Sequence, residues 1–556
     1  MSSTADLIIT DARILTMDQR QPKAQALAVV GNTIAAVGTA GEVAAWRGPL
    51  TRIVEAQGAS VVPGFNEAHL HLFSGAAELD QLSLHGVKGF EGLALAGRRF
   101  AGERLHEPVL IGQSADYTIL GANRRITRQD LDAIVPDRPF IIFAPDHHTA
   151  WANTAALAQT GLLHGRQLSP GNEIVMGADG LAEGELRESE AFRPIQDLSA
   201  STQRARAGLA TGADPVPAPN AAERAQDQGT IRRGLAYCAS LGITSLQNMD
   251  GNFYTLELID AVNRADGLRC RARVPFHFKT FMEPQALDVA VAMRERFCDE
   301  RLSSGFVKFF MDGVLESWTA VMIEDYADRP GWRGEPLYEP ERFAVLATEV
   351  DRRGLQIAVH AIGDGAVRSV LDGYAAARRA SGARDSRHRI EHIEVVHRAD
   401  IQRFAELGVV ASMQPAHPPG SMGLPLEPTV SRIGEARWPL AFAWKALRDA
   451  GAELVFASDW PISPLAPIAS IQAAMTRQKW APGLPDNRQS LHQALDAYTR
   501  AGAYVEYMEE RKGRLRPGLL ADLVVLSGDL EATAPEALHE VHPRLTICDG
   551  AVTFEA

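Results

Sequence analysis

The chain has 556 residues, 46% of them hydrophobic and 22% charged, and its 56 Lys and Arg stand against 69 Asp and Glu for a net charge of −13. This is the composition of a folded globular protein, and the acidic balance argues against nucleic acid or an anionic membrane as partner. No apolar run reaches the roughly 18 residues that span a bilayer, and the N-terminus shows neither a basic n-region nor an apolar h-region, so a cytoplasmic location is expected.

In chain order, short strands are predicted at 7–10, 13–17, 26–30 and 33–37, the last after the turn Gly31-Asn32, forming a small antiparallel sheet. The middle of the chain has another rhythm. Strands at 61–65, 243–247, 272–278, 306–311, 356–360, 389–393, 409–413 and 454–457 alternate with helical stretches such as 343–353 and 399–407. Eight such alternations predict a parallel (β/α)8 TIM barrel over residues 61–511. The first connection is far longer than a normal βα loop. It carries strands of its own at 109–113 and 140–144 and a Pro/Ala-rich stretch at 214–222, so residues from about 75 to 235 are expected to form a large insertion near the barrel mouth. Strands at 522–526 and 545–548 restore the β-rich pattern, and a small β-sandwich domain is predicted from both termini, residues 1–60 plus 512–556.

Candidate chemistry gathers at strand ends. His69 and His71 form an HxH, and on a strand residues i and i+2 project to one face, where two imidazoles converge on one ion. His360 closes LQIAVH, His392 closes RIEH and Asp459 follows LVFAS. In a TIM barrel the C-terminal strand ends share the active-site mouth, so these distant residues are expected to meet. Lys308 lies inside the apolar strand SGFVKFF, where an unpaired ammonium is costly. It is either an ion-paired or snorkelling lysine or one carbamylated by CO₂ into a carboxylate that bridges two metals. The four cysteines, Cys238, Cys270, Cys298 and Cys548, lack CxxC spacing and do not suggest a thiolate site.

The segments PGFNEAHLHL, APDHHTAWANTAAL, DGLAEGELRE, VKFFMDGVLES, VHAIGDGAV, RIEHIEVV, ASMQPAH, ASDWPISPL and KGRLRPGLLADLVVL resemble the amidohydrolase superfamily over nearly the whole chain. Within it they resemble the family 3 branch of YtcJ-like proteins and N-substituted formamide deformylases. The resemblance implies that His69 and His71 hold the more buried metal with Asp459, that carboxylated Lys308 bridges, and that His360 and His392 hold the second metal. Two departures stand out: Glu67 where the first motif usually has Asp, and His147 where the branch commonly has Gly.

The expected cofactor is therefore a pair of divalent ions, zinc by ligand type, with carboxylated Lys308. The expected reaction is hydrolysis of a non-peptide C–N bond in an amide, N-substituted formamide or cyclic amide by a metal-activated hydroxide, with Asp459 as general base. The alternative is a mononuclear deaminase of a heterocycle. His148, Trp151, Asn153, Trp318, Gln414 and Trp460 are candidate contacts to a small-molecule substrate, with a buried Trp151–Asn153 pair bracing the insertion as the other reading of those two, and Asp364 is either a partner of His360 or a helix cap. A homodimer is expected, with no nucleic-acid or membrane partner.

Overall fold

Two successive backbone N–H groups divide the chain between two sheets: Gly64 donates to the Asp522 carbonyl (2.9 Å) and Phe65 to the Gly242 carbonyl (3.0 Å). The computed structural model describes residues 4–121, 124–145, 149–169 and 172–556. These fall into two compact units, one of residues 1–72, 208–214 and 231–556, the other of residues 73–207 and 215–230.

In the first unit, a sheet of Thr33–Gly38, Ala26–Val30, Leu7–Thr10 and Arg52–Glu55 faces a sheet of Ala551–Glu555, Pro543–Cys548, Leu523–Leu526, Ser60–Pro63, Arg13–Leu15 and Lys23–Ala24. Both contribute to one apolar core that includes Ile9, Leu27, Val61, Leu523 and Ile547. The sheets are mixed rather than antiparallel throughout, because Leu7–Thr10 pairs in parallel with Arg52–Glu55 and Arg13–Leu15 with Ser60–Pro63.

The remainder of this unit has a TIM-barrel-type α/β fold. Its strands are β1 (Phe65–Leu70), β2 (Ile243–Asn248), β3 (Arg271–Arg273 and Phe276–His277), β4 (Leu302–Ser303 and Phe306–Phe310), β5 (Gln356–Ala361), β6 (Arg389–His392), β7 (Val410–Met413) and β8 (Leu454–Phe456). Each pairs in parallel with the next. A parallel bridge from Leu70 to Trp460 brings the end of β8 back to β1. Pro275, which has no N–H to donate, interrupts β3. The strands are buried along nearly their whole length, as parallel strands covered on both faces must be.

The expected first barrel strand at 61–65 is thus two elements. Ser60–Pro63 pairs with Leu523–Leu526 in the terminal sheet, and the barrel strand begins at Phe65. An added Cβ on Gly64 would lie 2.1 Å from Thr244 Oγ1, so only glycine lets the chain pass there.

The second unit carries a sheet ordered Glu173–Met176, Ala182–Arg187, Thr149–Ala152, Phe140–Phe143, Leu110–Gln113 and Leu82–Ser83. Its two apolar clusters centre on Ile141, Phe143 and Leu186 and on Leu110, Phe140 and Trp151.

Candidate metal centre

His69 is the penultimate residue of β1 and His71 directly follows the strand, while Asp459 lies just beyond β8. The β1–β8 closure fixes all three, since Asp459 N–H donates to the His69 carbonyl (2.9 Å) and His71 N–H to the Trp460 carbonyl (2.8 Å). Asp459 sits at φ +62, in the left-handed region that non-glycine residues seldom adopt. That backbone turns its carboxylate back into the barrel. Its Oδ1 is 3.2 Å from His69 Nε2 and 3.4 Å from His71 Nε2, and it is buried without a hydrogen bond from any described residue.

Both imidazoles are oriented from behind. His69 Nδ1 lies 2.7 Å from Glu391 Oε2 and His71 Nδ1 lies 3.1 Å from Asp250 Oδ1. A carboxylate on Nδ1 fixes the tautomer and turns the Nε2 lone pair inward, the arrangement that metal-ligating histidines adopt. Glu391 is held in turn by Arg389, which is fully buried and also donates to the Ala68 carbonyl (2.7 Å) and Ser412 Oγ (2.8 Å). Burial opposes charge on Glu391, but Arg389 and His69 outweigh it and hold the carboxyl well below its usual range. Burial likewise opposes ionisation of Asp459, and the imidazoles of His69, His71 and His392 reverse that, so its carboxylate stays ionised.

His360 ends its ring against the Gly313 carbonyl, 3.0 Å from Nε2, and lies 4.5 Å from His392 between ring centroids. His392 Nδ1 contacts Gln414 Oε1 at 2.9 Å. Burial keeps both imidazoles neutral, lowering His360 to about 3 and His392 well below its usual value. Neutral imidazole is the form that binds metal. Lys308, in β4, is fully buried with no hydrogen-bond partner among the described residues, 5.0 Å from the Phe310 ring centroid. Burial lowers its pKa to about 8.

Among the described residues two three-residue groups have ligand atoms within 4.8 Å of one another: His69, His71 and Asp459, and His392, His417 and Asp459. Two imidazole nitrogens, each backed by a further carboxylate, facing one buried carboxylate oxygen that has no partner among the described residues are a donor set that fits a divalent cation.

The remaining candidates divide. Gln414 contacts His392, while Trp460 meets the centre through its backbone, its carbonyl accepting from His71 N–H, and its ring packs on Tyr237 with 5.6 Å between centroids. Trp318 is pinned beneath Arg432, whose guanidinium lies 3.6 Å from the ring centroid, and its Nε1 donates to Asp328 (3.1 Å). In the second unit, Trp151 is buried in the apolar core. Asn153 caps the helix Thr154–Gln159, accepting from Ala156 and Phe140 and donating to the Val135 and Arg138 carbonyls, so its amide is fully used in holding that unit together. His148 and His147 lie outside the described residues. Asp364 starts the helix Asp364–Ser381 and accepts from Ile323 N–H (2.9 Å); the carboxylate beside His360 is instead Asp312, 3.7 Å away.

Glu391, Arg389, Asp250, Asp312 and His417 were not read as site residues in the sequence. His417 stands in the segment ASMQPAH, three residues after Gln414, and an eye for donor types rather than strand ends would have found it.

The sequence profile of the amidohydrolase family matches residues 52–554. The chain belongs to that family. It is a hydrolase acting on carbon–nitrogen bonds. It is 28% identical to the protein LONG AFTER FAR-RED 3 of Arabidopsis thaliana, over 94% of this chain and 87% of the relative. It is 27% identical to the N-substituted formamide deformylase of Arthrobacter pascens, over 100% of this chain and 99% of that enzyme. Among solved structures it is similar to an uncharacterized metal-dependent hydrolase from Pyrococcus furiosus, at 26% identity and a TM-score of 0.69, over 93% of this chain and 98% of that one. No helix among the described residues is long and apolar enough to cross a membrane.

Proposed function

We propose that this amidohydrolase cleaves a non-peptide C–N bond in an amide, N-substituted formamide or cyclic amide, using two divalent ions held at the ends of the barrel strands. The observation that carries the reading is the convergence of His69 Nε2 and His71 Nε2 on Asp459 Oδ1, which has no hydrogen-bond partner among the described residues. The full-length similarity to an N-substituted formamide deformylase supports the choice of bond. His69, His71 and Asp459 would hold the more buried ion, and His360 and His392 would hold the second. Lys308 would join this ligand set as the carbamate formed when its neutral amine adds to CO₂ and releases a proton, a reaction open to a buried lysine whose amine is partly neutral near pH 8. Zinc suits this nitrogen and carboxylate set.

Metal bound here supplies Lewis acidity and lowers the pKa of water from 15.7 toward about 7. The protein's own part is positional. Glu391 and Asp250 lock the two imidazoles, Arg389 keeps Glu391 ionised, and the β1–β8 hydrogen bonds fix Asp459. Ionised Asp459 accepts the proton of the attacking water and delivers it to the departing nitrogen.

The test is incubation of zinc-loaded protein with a panel of N-substituted formamides and cyclic amides, scoring formate or carboxylate and free amine. Metal-dependent amine release abolished by a chelator supports the reading. Ammonia released from heterocyclic amines, with no amide turned over, contradicts it.

A further inference from the structure

The two oxygens of Asp459 face different pairs of histidines. Oδ1 lies 3.2 Å from His69 Nε2 and 3.4 Å from His71 Nε2. Oδ2 lies 3.9 Å from His417 Nε2 and 3.9 Å from His392 Nδ1. Those spacings exceed a hydrogen bond yet match two donors gathered on one ion, because metal–nitrogen and metal–oxygen bonds of about 2.0–2.2 Å leave donors that far apart or closer.

His417 repeats the arrangement of His69 and His71. Its Nδ1 lies 3.4 Å from Glu394 Oε1, its Nε2 faces Asp459, and that Nε2 is buried without a hydrogen-bond partner among the described residues. Three histidines, two from the end of β1 and one just beyond β7, are thus each backed by a carboxylate and aimed at the same aspartate. The His417 ring lies parallel to that of His392, with 7° between planes and centroids 5.8 Å apart, and the His392 Nδ1 that stands 3.9 Å from Oδ2 also lies 2.9 Å from Gln414 Oε1. His360 is engaged differently, its Nε2 held by the Gly313 carbonyl.

We propose that Asp459 is shared between two cation positions, Oδ1 joining His69 and His71 and Oδ2 joining His392 and His417, which makes His417 a ligand of the second ion. This rests on the two-metal reading above and adds a nitrogen to it. Glu394 is then the carboxylate that orients the added ligand, as Glu391 does for His69.

The experiment is metal content per chain, by elemental analysis of zinc-loaded protein freed of excess metal, for wild type, His417→Asn, His417→Cys and Glu394→Gln. Folding of each is checked by its thermal melt. The expected result is two equivalents in wild type, one in His417→Asn and recovery toward two in His417→Cys, whose thiolate replaces the imidazole. Glu394→Gln keeps the shape of the side chain and is expected to weaken the second equivalent about 10–100-fold. Two equivalents in wild type and in His417→Asn, with unchanged affinities, overturn the assignment of His417 while leaving the two-metal reading intact. One equivalent in wild type overturns both. Should His417→Asn fail to fold, an unchanged second affinity in Glu394→Gln is the overturning result.

Discussion

Glu391 Oε2 lies 2.7 Å from Nδ1 of His69, with both side chains buried, so the carboxylate decides which face of that imidazole is free. Glu391→Gln removes the charge and keeps the shape. Its expected effect is a 10–100-fold weaker first metal, roughly what loss of such an outer carboxylate costs, measured by competition with a chromophoric chelator. Glu391→Ala also strands the fully buried Arg389 guanidinium, and breaking a buried pair in this way is expected to cost about 3–5 kcal/mol of stability in denaturant unfolding.

Asp459→Asn keeps the size of the side chain and removes its capacity to take a proton. Turnover of whichever amide the enzyme accepts is expected to fall about 10²–10⁴-fold, the span of general acid–base catalysis. Steady-state kinetics on zinc-loaded protein checks this. A variant that turns over at the wild-type rate removes Asp459 from its assigned role.

Metal affinity is expected to climb with pH. Burial disfavours charge on His71, but the hydrogen bonds and charges of Asp250 and Asp459 reverse that and lift its pKa to about 9 in the metal-free protein. A metal must expel that proton, because only the neutral ring is a ligand. Below pH 9 each unit of acidification is therefore expected to weaken the first site by about tenfold for this one proton. The dependence levels off above pH 9. Isothermal titration between pH 6 and 10 measures the slope, and the same titration on Asp250→Asn is expected to show it displaced to lower pH.

How much of this was legible in the sequence follows from what each signal depends on. Strand ends are local: His69, His360, His392 and Asp459 were read from apolar runs that stop at a donor, and the structure puts all four within one cluster of rings and carboxylate. The partners of those residues are not local. Glu391 reaches His69 across 322 positions and Asp250 reaches His71 across 179, so no spacing rule exposes them. Asp364 was a local guess, four residues after His360, and the barrel places Asp312 from the preceding strand end there instead. For Asn153 the sequence leaves open a mouth-lining contact or a buried residue bracing the insertion, and its amide caps a helix and donates to two carbonyls. The junction at Gly64 was invisible because VVPGF is apolar on both sides of the glycine, and only the partners of the two N–H groups divide it.

That junction yields its own prediction. Gly64→Ala places a Cβ 2.1 Å from Thr244 Oγ1, a contact that forces the backbone or Thr244 to move. Destabilisation of about 1–3 kcal/mol is expected, the usual cost of overpacking, and Thr244→Ala in the same chain is expected to recover part of it. Paired melts of the single and double variants measure the coupling.

The most direct test of the account is metal content per chain for wild type and Lys308→Ala, each reloaded with zinc in bicarbonate and analysed side by side. The buried Lys308 amine, without a hydrogen-bond partner among the described residues, is predicted to carry a carbamate that helps hold two ions, giving two equivalents in wild type and fewer in the variant. One equivalent in both proteins contradicts the account, making Lys308 a structural lysine and the centre mononuclear.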